Sequence, residues 1–367
     1  MTRSADVVVV GAGIAGASLA AEIAGEVSVI LIEAEDQPGY HSTGRSAAFW
    51  AESYGGPAVQ PLTSASGPWL AERGLLRRRG ALHLAGAEGA GALEALRREA
   101  GSAIELRSLA AHEIAELVAG VRPEWDRALF EPSCADIDVA ALHASCLALA
   151  RRKGAQLVSG TRLLAADRHD GGWLVETSGG TFAADILVDA AGAWADEVAA
   201  AAGVPPLGIR PFRRTLVQLR IEPPAPGDLP LVIDALGRFY FKPEPGGRLW
   251  LSPHDETACD PGDCAPEEYD VALAIDWLEK AVEWKVEAVE RSWAGLRSFA
   301  PDRVPVYGYA PGRRDFFWFA GQGGFGIQTA PAAAMLAASL LLDSEPDPAV
   351  AAIDPAPYLP DRLATSG

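Results

Sequence analysis

Cysteine is nearly absent from this chain of 367 residues, with four in all: Cys134, Cys146, Cys259 and Cys264. They include no C-x-x-C pair and no histidine partner at zinc spacing, so neither a structural metal nor a disulfide framework is expected. Long apolar runs are missing as well. The longest, Ala330 to Leu342, has about 13 residues against the roughly 20 that a bilayer requires, and it reads as a buried helix. The N-terminus lacks a basic segment, a long apolar stretch and a small-residue cleavage site, so a cytoplasmic protein that folds from its first residues is expected. Positive charge is in deficit: 31 Lys and Arg against 49 Asp and Glu give a net charge of -18. Such a surface repels phosphate backbones and anionic headgroups, which argues against nucleic-acid binding. With 49% hydrophobic and 22% charged residues, the chain has the composition of a globular protein and the length of two domains.

The first informative pattern is Val7 to Val10, then Gly11-x-Gly13-x-x-Gly16, then an alanine-rich helical stretch to Ala24 and an apolar strand from Val27 to Ile32. This is a βαβ unit with a dinucleotide fingerprint in its required context. Gly11 permits the tight turn, Gly13 lets backbone approach a pyrophosphate, and Gly16 lets helix and strand pack closely, with the helix N-terminus supplying partial positive charge. Glu33, about 17 residues after Gly16, is the acid expected on the adenosine ribose hydroxyls, and it disfavours a 2′-phosphate.

Strand, glycine loop and helix recur twice more. Ala184 to Gly192 reads as a buried strand ending in glycine, and Phe316 to Ala320 leads through Gly321 to Gly326 into a helix from Ile327 to Leu342. Helical spacing from Val139 to Lys153 and short strands at Gln156–Val158, Arg162–Asp167 and Trp173–Thr177 belong to the same texture. Between these pieces, Thr215–Ile221, Leu231–Ile233, Phe239–Lys242 and Leu249–Ser252 alternate among prolines, as strands of an antiparallel sheet do.

Four motifs in order carry a family resemblance: His41-Ser42-Thr43-Gly44-Arg45-Ser46-Ala47-Ala48, Val188-Asp189-Ala190-Ala191-Gly192-Ala193-Trp194, Trp293-Ala294-Gly295-Leu296-Arg297-Ser298, and Gly321-Gln322-Gly323-Gly324-Phe325-Gly326-Ile327-Gln328-Thr329. The chain resembles the D-amino-acid oxidase superfamily of FAD enzymes over nearly its whole length, and within it the bacterial D-arginine dehydrogenase group. The resemblance implies an α/β fold: a discontinuous Rossmann-like FAD-binding domain (1–48, 139–210 and 296–367) with an inserted α+β substrate domain (49–138 and 211–295) on an antiparallel sheet. It implies non-covalent FAD, held by Gly11, Gly13, Ala15, Gly16, Glu33, Ala34, Ser42, Thr43, Gly44, Arg45, Ser46, Ala47, Ala48 and Phe49. Leu163 serves the adenine side, with Gly192 in the second glycine loop, and Gly323, Gly324, Phe325, Gly326, Ile327 and Gln328 border the flavin ring. His41 is the one candidate for a covalent link.

For the substrate, the resemblance places Arg297 on a carboxylate, which its planar fork matches bidentately, with Tyr240 as second contact and Arg214 as either a third contact or a strand salt bridge. Tyr54, beside Gly55 and Gly56, matches a lid residue, and Gln328 completes the candidate catalytic set. Two departures from the arginine-specific pattern matter: Phe49 stands where that group has a histidine, and Ala81 aligns with its acid for cationic side chains. An unpaired buried guanidinium costs several kcal/mol, so apolar or aromatic D-amino acids are expected rather than D-Arg. His83 reads as a strand or surface histidine. Oxidative deamination by hydride transfer to flavin N5 is the expected reaction. A secondary-amine oxidase, a 2-hydroxyacid dehydrogenase and a non-catalytic flavoprotein are the alternatives. The electron acceptor, whether oxygen, a quinone or an electron-transfer protein, is not specified by any motif.

Overall fold

The computed structural model describes residues 2–363. Strand Arg3–Val10 owes its place at the centre of an eight-stranded sheet to Val7, Val8 and Val9, which are fully buried with one or the other face of the sheet covered. It pairs in parallel with Val29–Ile32 on one side and Gly180–Asp189 on the other. Gln156–Val158 extends the sheet in parallel beyond Val29–Ile32, and Phe316–Ala320 adds in parallel beside Gly180–Asp189. Val10, Ile32, Val158, Asp189 and Ala320 therefore end at one edge, where doubly wound sheets bind their ligands. An antiparallel meander, Leu163–His169 and Gly172–Thr177, flanks the start of Gly180–Asp189.

Helices Ile14–Ile23, Val139–Arg152 and Gly326–Leu342 cover one face of this sheet, and the stretch Ala330 to Leu342 is largely buried, as its composition predicts. The close approach of the first helix is a glycine effect. A Cβ on Gly16 would strike the carbonyl oxygen of Gly11, and one on Gly11, whose φ is +99°, would lie 2.6 Å from the carbonyl oxygen of Ala190.

The second large sheet has ten strands, and Arg210–Glu222 lies third from one edge, paired antiparallel with Lys285–Phe299 and Arg248–Ser252. The order then runs through Tyr240–Glu244, Leu231–Asp234, Ala81–Ala85, Arg127–Glu131 and Arg107–Ala110. One join, Leu231–Asp234 to Ala81–Ala85, is parallel, so the sheet is mixed rather than purely antiparallel. Strand Lys285–Phe299 is continuous across the 295/296 border that the motifs suggest, which puts Arg297 on the ten-stranded sheet. Its last residues pair with Gln322–Gly323, so the third glycine loop is bonded directly to the strand that carries Arg297.

Cysteine usage needs one correction. Cys259 and Cys264 form a disulfide, a single local bridge across a turn, which spacing alone did not signal; Cys134 and Cys146 are free and buried. Among the described residues no helix is long and apolar enough to cross a membrane.

Candidate active site

One cavity of about 440 Å³ runs from the strand ends of the first sheet to the face of the second. At its first end are Glu33, Ala34, Leu163 and Arg162; in the middle lie Gly11, Gly13, Ala15, Ser42, Thr43, Arg45 and Gly192; at the far end are Phe49, Tyr54, Arg214, Tyr240, Arg297, Gly324 and Gln328. Ser46, Ala47, Ala48, Gly323, Gly326 and Ile327 also line it. Three of the predicted cofactor residues do not. Gly16 is spent on packing against Gly11, Gly44 turns inward to donate its N–H to Gly39 O, and Phe325 packs with Val59 and Phe299.

Glu33 follows strand Val29–Ile32 at the cavity wall, where Oε2 accepts from Ala12 N at 2.8 Å and Oε1 from Glu35 N at 3.0 Å. Each oxygen retains a lone pair for a hydroxyl donor. Helices Ile14–Ile23 and Gly326–Leu342 both open at the cavity without an acid in the first turn; the leading N–H of the first, Ile14 N, donates to Thr43 Oγ1 at 3.0 Å, and the second has no capping side chain at its N-cap residue. The positive dipole ends of both helices thus face the cavity, where they favour an anionic or electron-rich ligand. Asp189, at the end of its strand, is fully buried, and burial pushes its carboxyl well above the usual range; Oδ1 accepts from Ala191 N and so shapes the second glycine loop.

At the far end the predicted substrate residues converge. Arg297 Nη2 donates to the Tyr54 hydroxyl at 3.2 Å, and Arg214 and Tyr240 line the same wall. Arg214 serves both readings offered for it: it faces the cavity, and it is paired, with Nε donating to Asp255 O at 2.8 Å and Nη2 lying 3.1 Å from Glu256 Oε1. Burial raises the pKa of Tyr54, but the positive charges of Arg297 and Arg214 outweigh it and hold the hydroxyl below its ordinary value. At Tyr240 burial prevails and the pKa is raised. Phe49 packs edge-on against both tyrosines, with ring centroids 5.0 and 5.9 Å away.

Gln328, which lines the cavity, also braces its wall. Its Nε2 donates to Tyr54 O and to Thr63 Oγ1, both at 2.9 Å, which ties the segment carrying Tyr54 to helix Gly326–Leu342. The segment is pinned a second time by Glu131, fully buried, which accepts from Glu52 N at 2.7 Å and Ser53 Oγ at 2.5 Å. His83 belongs to this cluster, 3.1 Å from Ser53 Oγ, and is buried on its strand rather than exposed. Gly55 and Gly56, both at positive φ, serve backbone shape in a held segment.

Sequence reasoning missed two residues. His254 stacks on Tyr54 and meets Tyr240 edge-on, and its Nδ1 donates to Gly237 O at 2.9 Å. Burial, reinforced by Arg214 and Arg297, depresses its pKa to about 3, so it is neutral at neutral pH. Glu256 contacts Arg297, Arg214 and Arg303 at once. Both stand in a proline-flanked stretch with no motif, so no local signal could have found them.

The family model described as "DAO: FAD dependent oxidoreductase" matches residues 6–340. The chain belongs to this family. Among curated DAO-family relatives it is 28% identical to a glycine oxidase of Geobacillus kaustophilus over 63% of this chain and 59% of the relative. It is 32% identical to a glycine oxidase of Pseudomonas putida over 51% of this chain and 48% of the relative. These matches span about half to three-fifths of the relatives' length. The solved glycine oxidase of Geobacillus kaustophilus has a TM-score of 0.83 and 26% identity, covering 98% of both chains. An L-proline dehydrogenase from P. horikoshii shares the fold, with a TM-score of 0.83 and 21% identity over 99% of this chain and 98% of that one. These similarities establish the DAO family; the narrower likeness to D-arginine dehydrogenases rests on motifs alone.

FAD is the cofactor of the DAO family, and the residues present fit it. The cavity is continuous, Glu33 stands at one end, and two helix N-termini with no acid in the first turn open onto it. Glu33 would hold the ribose, the first helix the pyrophosphate, and the Gly323 to Gln328 loop the flavin ring.

Proposed function

We propose that this DAO-family chain oxidises the α-carbon of an amino acid, with apolar or aromatic D-amino acids as its preferred substrates and an imino acid, hydrolysed to a 2-oxo acid and ammonia, as product. The observation that carries this reading is the meeting of Arg297, Arg214, Tyr54 and Tyr240 at one end of the cavity. Two guanidiniums and two hydroxyls form a carboxylate seat, which a protein holding a nucleotide for structure alone has no need of. FAD, when bound, supplies the two-electron acceptor. The chain's own part is to fix the carboxylate, orient the α-C–H and exclude water, and orientation of this kind supplies much of such a barrier reduction.

The side-chain preference follows from what surrounds the seat. Phe49, Tyr54 and Tyr240 supply aromatic walls, and the acids lining the cavity, Glu33, Glu35 and Glu197, belong to the adenosine side. Glu52, the other acid near the seat in sequence, is turned away and accepts from Ser64 Oγ. A cationic side chain would enter without a counter-charge. Glycine and N-methyl amino acids are the second reading, favoured by the crowding of Phe49 against Tyr54 and Tyr240.

Anaerobic bleaching of the bound flavin by a panel of D- and L-amino acids, glycine, N-methyl amino acids and 2-hydroxy acids tests the reading. D-Leu, D-Met or D-Phe should bleach the flavin faster than D-Arg. Faster bleaching by an L-amino acid or by a 2-hydroxy acid would overturn it.

A further inference from the structure

We infer that Glu256 is a specificity-determining residue: held against Arg214 and Arg297 from outside the cavity, it limits the seat to substrates bearing one carboxylate. The inference rests on the proposed carboxylate seat and adds to it the charge of the substrate admitted.

A single oxygen carries the argument. Glu256 Oε1 lies 2.7 Å from Arg297 Nη1 and 3.1 Å from Arg214 Nη2, so one carboxylate serves two buried guanidiniums. Both arginines line the cavity and Glu256 does not, which places its carboxylate behind them. Arg303 also reaches both Glu256 oxygens, at 2.9 and 2.8 Å, but it is half exposed and screened by solvent. Asp255, the other nearby acid, is engaged elsewhere: it accepts from Thr215 N and Thr215 Oγ1 and pairs with Arg213, leaving 3.9 Å to Arg214 Nε.

Glu256 is the acid whose side chain bonds both guanidiniums, so its charge offsets part of the attraction that they hold out to an anion in the cavity, and a first carboxylate uses most of what remains. With Glu256 in place, a dicarboxylate would set its extra charge against that of Glu256 across the guanidiniums. Without it, each arginine would be free for a carboxylate of its own. Because both nitrogens bond the same oxygen, they are close neighbours, and a short 1,3-dicarboxylate could span them.

The test is binding of propionate and of malonate to the flavin-loaded protein, read as perturbation of the flavin absorbance. The wild type should bind propionate more tightly than malonate, and Glu256→Gln should shift the ratio of dissociation constants toward malonate by about tenfold or more. Glu256→Asp retains the charge and should keep the wild-type ratio within about threefold even where both affinities fall. A ratio unchanged in Glu256→Gln overturns the inference. Should Glu256→Gln fail to fold, Glu256→Asp decides alone, since a ratio that moves toward malonate despite the retained charge also overturns it. Arg297→Ala separates the two levels: if propionate binding survives that change undiminished, the seat itself is misassigned, whatever Glu256 does.

Discussion

Gly324 lies against the guanidinium of Arg297 so closely that a Cβ at 324 would overlap its nitrogens. The third glycine loop thus does more than approach the cofactor, because its missing side chain is the space in which Arg297 rests. Gly324→Ala should displace the guanidinium and lower kcat/KM by about 10²-fold, the cost typical of a misplacement near 1 Å, with flavin content unchanged. Steady-state kinetics on flavin-replete protein checks this, and wild-type values would show that the loop yields instead.

Removal of Arg297 itself should cost at least as much. Each charge-assisted bond to a carboxylate is worth roughly 1.5–3 kcal/mol, so Arg297→Ala should lower kcat/KM by about 10²-fold or more with FAD still bound. Arg297→Lys should recover part of this loss, because a lysine keeps the charge but not the planar fork. Full activity in Arg297→Ala would leave Arg214 as the carboxylate anchor.

Glu131 ties the fold to pH. Burial alone would raise its pKa, but the hydrogen bond and charge of His83, with the donors Ser53 and Glu52 N, outweigh burial and hold it below the ordinary glutamate value. A carboxyl whose pKa is lower folded than unfolded binds protons more readily when unfolded. Its contribution is therefore complete above the unfolded pKa of about 4.5 and is lost as pH falls through the folded value. Thermal melts from pH 7 down to pH 3 should show a shallower acid decline for Glu131→Gln than for wild type. At pH 7 the variant should be less stable by about 2 kcal/mol, the usual cost of disturbing a buried hydrogen-bonded group. Parallel acid limbs would show that Glu131 is not a main acid-sensitive group.

The flavin should leave with denaturation. No cysteine lines the cavity, and His41, the one covalent candidate, is engaged with Glu35 Oε1 at 2.9 Å and packed against Trp194. The purified protein should be yellow, and acid precipitation should release the colour to the supernatant. Colour retained in the pellet would show a covalent link.

The three strand, glycine and helix units were legible in the sequence because their determinants are local. Runs such as Val7 to Val10 and Phe316 to Ala320 can only be buried strands, and the glycines after them mark turns whose geometry other residues resist. Strand Lys285–Phe299 was not legible over its first half. Lys285 to Arg291 alternates charged and small residues that suit a helix surface as well as a sheet edge, and its identity comes from pairing along the whole of Arg210–Glu222.

The site divides along the same line. Gly11 and Glu33 were legible from a short pattern whose spacing carries its chemistry, whereas Arg297, Tyr240 and Tyr54 were singled out by the resemblance of the runs around them. Glu256 and His254 lie in a stretch without one, and they reach the site only because strands distant in sequence bring Arg214, Arg297 and Tyr54 to one wall. The sequence alone determined the FAD-binding frame and, through resemblance, singled out Arg297 as the proposed carboxylate anchor. Tertiary structure alone decided which charges stand behind that anchor, because a buried charge is set by its neighbours in space, not by its neighbours along the chain.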